Sequence, residues 1–423
     1  MLYGLCGSSL KHSYSEIIHN LLGNMQYKLI NLTEEEFVCF MKEKKFGAVN
    51  VTIPYKILAA TLCDYVSDDA KKIGCVNTVV NKNGMLYGYN TDCFGFRYML
   101  ERANINPSGK KVLVLGSGGT SLTARCVLED MGAEEIINVS RTGPVNYENI
   151  YNKQAQIIIN TTPVGMYPNN SKSLINPEKF PLLEACADVI YNPLKTKFIS
   201  DAEGLGVCCT NGLSMLVAQA VKAHELFFDK EFDDCYNVID CVLTKLVSKV
   251  GNIVLVGMPG SGKTTVGKLL AEKTGMDFYD SDEYIEDRSG RKIPDIINSE
   301  GEAAFRKMET ESLEDLTKLS GCIIATGGGV VLKEYNRFLL KQNGKCVYIK
   351  RDIEKLATTG RPLSQGGGEK LRKLYKERKC LYEGLADFSV ELAENSKQCA
   401  EKIMNFIFTD ERKTDEATCN KRS

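Results

Sequence analysis

Histidine is scarce in this chain, with three in 423 residues, and no two of its 16 cysteines stand in a C-x-x-C pair. With so few imidazoles and such scattered thiols, neither a zinc site nor a disulfide framework is readable, and reduced, cytoplasmic thiols are expected. Nor is there an excess of charge: 53 basic residues against 54 acidic ones leave a net charge of −1, which gives no general attraction to nucleic acid or an anionic membrane. Any anion binding must be local. No apolar run approaches the ~18 residues that mark a membrane span, and the opening Met1-Leu-Tyr-Gly-Leu-Cys-Gly7 turns polar too soon for a signal peptide. These absences point to a cytoplasmic protein with no nucleic-acid or membrane partner, and they leave monomer and homodimer both open.

What is present is the balance of a globular protein, 43% hydrophobic and 25% charged, with length for two or three domains at ~150 residues each. The sharpest local pattern is Gly257-Met-Pro-Gly260-Ser261-Gly262-Lys263-Thr264-Thr265, a fit to G-x-x-x-x-G-K-[ST]. Ile253–Val256 precedes it as a buried strand would, and the residues from Val266 follow with helical spacing. In such a loop backbone N–H groups turn inward around phosphates, Lys263 adds a mobile charge, and the Thr264 hydroxyl is suited to Mg²⁺. Downstream, Asp280 and Asp282 are expected to end a strand on one shared face, one toward the metal and one toward a hydroxyl acceptor; the plain alternative is an acidic helix start. Arg306 sits in an expected helix, Gly327-Gly328-Gly329 closes a strand with bare backbone, Arg361 lies in a lid-like Gly-Arg-Pro segment, and Arg378 lies on the next helix. The last stretch, 409–423, reads as a disordered tail.

Upstream, four polar clusters fall at the ends of short apolar runs: Ser13 and Ser15, Thr52 with Lys56, Asn77 with Thr78, and Asn90-Thr-Asp92. Together they suggest one pocket, although the serines taken alone read as a helix N-cap. Val112-Leu-Val-Leu then leads into Gly116-Ser-Gly118-Gly119-Thr120, a dinucleotide-loop pattern of the G-x-G-G kind. The next strand ends in Ser140-Arg141-Thr142, where NAD-binding enzymes tend to carry an acid, so a guanidinium favours NADP. Tyr191, Gly212 and Gln219 follow on further strand and helix ends, and a short, partly helical joint runs through 234–249.

These residues resemble two families. The Ser-x-Ser loop, Asn-Val-Thr-x-Pro-x-Lys, Asn-Thr and Asn-Thr-Asp clusters of residues 1–248 are similar to shikimate dehydrogenase, and 249–408 resembles shikimate kinase. The resemblance implies an α/β substrate domain (1–106 and 213–248), a Rossmann NADP-binding domain (107–212), and a P-loop three-layer α/β domain of the nucleoside-monophosphate-kinase kind. It also implies that shikimate is held by Ser13, Ser15, Thr52, Asn77, Asp92, Tyr191 and Gln219, which reverses the cap reading of the serines. Lys56 becomes the catalytic lysine paired with Asp92, and Gly212 approaches the nicotinamide. In the kinase part Asp282 meets the ring hydroxyls, Arg306 and Arg378 hold the carboxylate near Gly327–Gly329, Asp280 and Thr264 surround Mg²⁺, and Lys263 with Arg361 meets ATP. The function implied is NADPH-dependent reduction of 3-dehydroshikimate followed by ATP-dependent phosphorylation of shikimate. A dehydrogenase of broader quinate/shikimate range and a non-catalytic ligand sensor are the other readings. The sequence departs from the family patterns at Glu16, where a proline is usual, at Ser117 and Thr120 in the glycine loop, and at Cys380.

Overall fold

Apolar runs bounded by glycine or proline become strands in this chain, and the 3.6-periodic stretches between them become helices. A computed structural model describes residues 1–10, 13–23, 25–356, 367–393 and 395–419. It divides into two units, Met1–Leu246 and Val247–Ser423.

The first unit opens with β1 (Tyr3–Gly7), α1 (Ser15–Leu22), β2 (Tyr27–Asn31), α2 (Glu34–Glu43), β3 (Ala48–Val51), α3 (Lys56–Leu62), β4 (Tyr65–Val66), α4 (Asp68–Ile73), β5 (Thr78–Lys82), β6 (Met85–Tyr89) and α5 (Asp92–Arg102). Its mixed sheet has the order β2-β1-β3-β5-β6-β4. The antiparallel pairing of β5 decides where the polar clusters go. Asn50 lies opposite Thr78, and Thr78 opposite Tyr89, so the end of β3, the start of β5 and the end of β6 share one edge. Residues just outside those strands, Thr52 to Lys56, Asn77, and Asn90 to Asp92, therefore converge.

A second sheet follows from β7 (Lys111–Leu115), α6 (Gly119–Asp130), β8 (Glu135–Val139), β9 (Ile157–Asn160), β10 (Ala185–Asp188), α7 (Lys197–Gly204) and β11 (Cys208–Thr210). It is all parallel, in the order β11-β10-β9-β7-β8. The chain leaves β7 to one side and returns on the other, which opens a crevice above the carboxyl ends of β7 and β9, the usual ligand position in such sheets. Covered on both faces, these strands are apolar throughout: Val112–Leu115 and Ile157–Ile159 are at most 1% exposed. Each buried aliphatic side chain contributes about 1.5–3 kcal/mol. Then α8 (Leu213–Phe228) packs back on α5 and α1, returning Gln219 to the first sheet. α9 (Cys235–Val250) has no internal glycine or proline and leads through Gly251 to the next strand.

The second unit contains β12 (Asn252–Val256), α10 (Lys263–Thr274), β13 (Asp277–Asp280), α11 (Ser281–Ser289), α12 (Ile293–Leu316), β14 (Cys322–Ala325), α13 (Glu334–Asn343), β15 (Gly344–Lys350), α14 (Gly367–Leu385), β16 (Phe388–Glu391) and α15 (Ser396–Cys419). Its parallel sheet has the order β13-β14-β12-β15-β16, with the first strand, β12, central. Two expectations are corrected. β13 stops at Asp280 and Asp282 already belongs to α11, so the two carboxylates do not share a strand face. And α15 continues past 409 to Cys419, where a disordered tail was expected; no glycine or proline interrupts 396–419. Among the described residues no helix is long and apolar enough to cross a membrane.

Candidate active sites

In the first unit a cavity of about 540 Å³ is lined by Gly116, Ser117, Gly118, Gly119, Thr120, Ser140, Arg141, Thr161–Val164 and Lys56. Gly116 takes a φ of +123°, and a Cβ there would lie 2.6 Å from Thr161 Oγ1, so the loop turns into α6 only with glycine. Lys56, the first residue of α3, lines the same cavity. Its Nζ donates to Asp92 Oδ2 at 2.5 Å, and both side chains are largely buried, at 15% and 8% exposure. Asn77 Nδ2 donates to the other Asp92 oxygen at 2.9 Å and to Thr91 Oγ1 at 3.0 Å. Gln219 Oε1, from α8, lies 3.5 Å from the same amide. The carboxylate is thus held on both oxygens, and the ammonium is held in place by it.

The serines form a second group. Ser13 Oγ bonds Ser15 Oγ at 3.1 Å and accepts from Ser15 N at 3.2 Å. Neither caps α1, whose N-cap is Tyr14 with no side-chain cap bond. Ser13 also shares a side-chain hydrogen bond with Tyr191, whose hydroxyl is pushed up to about 12 by burial, with Tyr14 adding to it. Thr52 follows β3 directly, its backbone N–H donating to the Cys6 carbonyl at 2.9 Å. Thr142 and Gly212 do not line the cavity. Gly212 has a packing reason to be glycine, since a Cβ there would lie 1.9 Å from the Val189 carbonyl oxygen.

In the second unit a cavity of about 450 Å³ brings together nearly every residue expected there: Gly260, Gly262, Lys263, Thr264, Thr265, Asp280, Asp282, Arg306, Gly327–Gly329 and Arg378. Thr264 Oγ1 donates to Asp280 Oδ2 at 2.6 Å. Asp280 Oδ1 accepts from Asp282 N at 3.0 Å and so caps α11, which makes the helix-start alternative true as well. Lys263 Nζ donates to the Gly257 and Met258 carbonyls, both at 2.9 Å. Arg306 bonds Glu302 and Glu309, and Arg378 Nη1 donates to the Gly328 carbonyl at 3.0 Å. The three glycines are explained by close approach. A Cβ on Gly327 would lie 2.7 Å from Asp282 Oδ1, one on Gly328 2.5 Å from Pro259, and one on Gly329 2.1 Å from Arg306 Nη1. Ser261 is fully buried within the loop and does not line the cavity. Arg361 lies outside the described residues.

A family model of the shikimate dehydrogenase substrate binding domain matches residues 5–79, and one of shikimate kinase matches residues 259–408. A shikimate dehydrogenase (NADP(+)) of Clostridium perfringens is 38% identical over 57% of this chain and 98% of that relative. A shikimate kinase of Thiobacillus denitrificans is 48% identical over 36% of this chain and 86% of that relative. The chain belongs to both families. Among solved structures, shikimate dehydrogenase 1 of Peptoclostridium difficile superposes on the dehydrogenase part with a TM-score of 0.55 at 34% identity, covering 58% of this chain and 97% of that one. The shikimate 5-dehydrogenase of Thermus thermophilus in complex with NADP(H) and shikimate does so at 0.52 and 30%, covering 58% and 100%. The chain is therefore a bifunctional enzyme of the shikimate pathway.

Three residues of these sites were not read from the sequence. In the dehydrogenase unit, Asp188 is fully buried and accepts from Asn160 Nδ2, Thr196 Oγ1 and Ile190 N at 3.0, 2.7 and 3.0 Å. Burial pushes its carboxyl up to about 7 against those bonds. It ties the loop after β9, which lines the dinucleotide cavity, to the loop that carries Tyr191. In the kinase unit Glu309, 1% exposed, backs Arg306 at 2.9 Å and is itself raised by burial. Its spacing of three from Arg306 on a helix was the available signal. Arg351 also lines the kinase cavity, and nothing in its local sequence marks it.

Proposed function

We propose that the first unit reduces 3-dehydroshikimate to shikimate with NADPH and that the second phosphorylates shikimate at its 3-hydroxyl with ATP. What carries this reading is that a single chain holds both a Lys–Asp pair at a glycine-loop cavity and a phosphate loop whose Thr264 already meets Asp280. We read 107–212 as the dinucleotide part, 1–106 with 213–248 as the substrate part, and 249–408 as the kinase; the packing of α8 on α5 and α1 supports the second of these.

NADPH would supply the hydride and ATP the phosphoryl group. Gly116, Gly118, Gly119 and Thr120 offer backbone donors at the start of α6 to a diphosphate, while Ser140, Arg141 and Thr142 suit a 2′-phosphate. Gly212, whose backbone N–H bonds the Ile190 carbonyl next to Tyr191, is the residue we assign to approach the nicotinamide. Ser13, Ser15, Thr52, Asn77, Tyr191 and Gln219 take the substrate's hydroxyls and carboxylate. Lys56 donates a proton to the ketone oxygen as it becomes an alkoxide. Asp92 keeps the ammonium aimed and accepts from a substrate hydroxyl.

In the kinase unit Arg306 and Arg378 grip the substrate carboxylate, and Asp282 orients the attacking hydroxyl and takes its proton. Lys263, together with Arg361, offsets charge on the transferring phosphoryl, and the backbone of Gly260, Ser261, Gly262 and Thr265 cradles the phosphates. The Thr264 hydroxyl and the Asp280 carboxylate, already in contact, are the hard oxygen donors that Mg²⁺ takes, and its charge there would assist the same neutralisation. The test is a coupled assay on the intact chain with 3-dehydroshikimate, NADPH, ATP and Mg²⁺. Shikimate 3-phosphate is expected; folded protein that oxidises NADPH yet yields no phosphorylated product would refute the second half of the reading.

A further inference from the structure

The kinase cavity contains one more cation than its sequence pattern names. β15 lies beside β12 with Tyr348 opposite Val256, so Arg351, just past the end of β15, stands at the same carboxyl edge as the phosphate loop. It lines the cavity with Lys263 and Thr264. Its Nη1 would lie 3.8 Å from a Cβ built on Gly262, the N-cap of α10.

Its neighbours' charges are answered. Lys350 pairs with Glu383, Arg372 with Glu354, and Arg306 with Glu302 and Glu309. Among the described residues no carboxylate pairs with Arg351, and its half-buried side chain keeps a buried Nε without a hydrogen-bond partner. A guanidinium thus stands near the N-terminus of α10, the positive end of a helix dipole, with no carboxylate ion-paired to it among the described residues. That arrangement is unfavourable until an anion enters. Lys263, meanwhile, directs its ammonium to two carbonyls of its own loop, whereas the planar fork of an arginine is shaped for bidentate phosphate contact.

We propose that Arg351 binds the phosphate chain of the nucleotide, as a second side-chain cation beside Lys263. The inference rests on reading this unit as an ATP-dependent kinase. The test titrates the full chain, and its Arg351→Gln and Arg351→Lys variants, with ADP and with adenosine by calorimetry, alongside steady-state kinetics of both activities. Arg351→Gln is expected to weaken ADP and raise KM for ATP about 10- to 100-fold, the loss of charge-assisted hydrogen bonds. Adenosine affinity, KM for shikimate and the dehydrogenase activity of the same molecule stay unchanged, and Arg351→Lys recovers part of the loss. Unchanged ADP affinity in Arg351→Gln overturns the inference. An equal loss for adenosine overturns it too, placing the side chain on the base or in the packing beside Gly262, where Leu392 lies. Wild-type protein that binds no nucleotide would instead defeat the kinase reading itself.

Discussion

The two sites of this chain are built from different chemistry. The dehydrogenase site is mostly neutral: serine, threonine, asparagine, glutamine and tyrosine surround one lysine–aspartate pair joined at 2.5 Å. The kinase site is crowded with charge, with Lys263, Arg306, Arg351 and Arg378 facing Asp280, Asp282 and Glu309 in one cavity of about 450 Å³. The difference fits what each proposed reaction would move. Hydride addition to a ketone develops a single alkoxide and needs one well-aimed proton. Phosphoryl transfer spreads charge over several oxygens and is helped mainly by positioned opposite charge. Two glycines differ as well: a Cβ at Gly212 would meet backbone, the Val189 carbonyl, while the three atoms nearest a Cβ at Gly329 all belong to the Arg306 guanidinium.

The sharpest way to break this contrast is to remove the proposed proton donor. Lys56→Ala should lower dehydrogenase kcat by about 10²- to 10⁴-fold, with shikimate still binding and kinase turnover unchanged. Steady-state rates of both activities on the same preparation check it, and a variant that kept full reductase turnover would end the role of Lys56. The glycine contrast predicts a smaller, divided effect. Gly329→Ala should displace the Arg306 guanidinium and raise KM for shikimate in the kinase reaction about 10- to 100-fold with the unfolding temperature nearly unchanged. Gly212→Ala, blocked by backbone, should lower the unfolding temperature of the first unit; scanning calorimetry with kinetics separates the two.

The smallest expected effect is in stability against pH, and it lies wholly in the first unit. Burial, with the nearby His224 charge, holds His19 down to about 3 from 6.5, where it stacks on Tyr27 at 4.0 Å. Below pH 6.5 the unfolded chain binds a proton that native His19 refuses, so stability is lost as pH falls. Asp188 runs the other way. With its carboxyl raised from 3.8 to about 7, the native state holds a proton that the unfolded chain has released, so stability is gained as pH falls from 7 toward 4. Relative to the parent, His19→Phe should therefore gain stability on acidification from pH 7 to 5, and Asp188→Asn should lose it, each by up to about 1.4 kcal/mol per pH unit. Denaturant midpoints at a series of pH values measure this, and shifts of the same sign would contradict it.

Much of the fold was legible because its signals are local. A buried strand, a glycine loop and a helix are written consecutively at Val112–Thr120 and again at Ile253–Thr265, and in both units the loop follows an interior strand of a parallel sheet. Asp280 and Asp282 show where local reading stops. An i, i+2 pair shares a face only while the chain stays extended, and the backbone turned into α11 one residue too early. Both carboxylates still reach the cavity, by a different geometry from the one their spacing implied.

By itself, the amino-acid sequence determined that there are two nucleotide-type loops in one chain, and which lysines, carboxylates and arginines accompany them, since those residue types at those spacings recur along short stretches. Only the tertiary structure decided which of them meet. Asn50 opposite Thr78 and Thr78 opposite Tyr89 bring Lys56, Asn77 and Asp92 to one edge, and helix return carries Gln219 to them across more than a hundred residues. Asp188, Glu309 and Arg351 became meaningful only then. A buried carboxylate or an unpaired guanidinium is defined by what surrounds it, and those surroundings come from strands and helices distant in the chain.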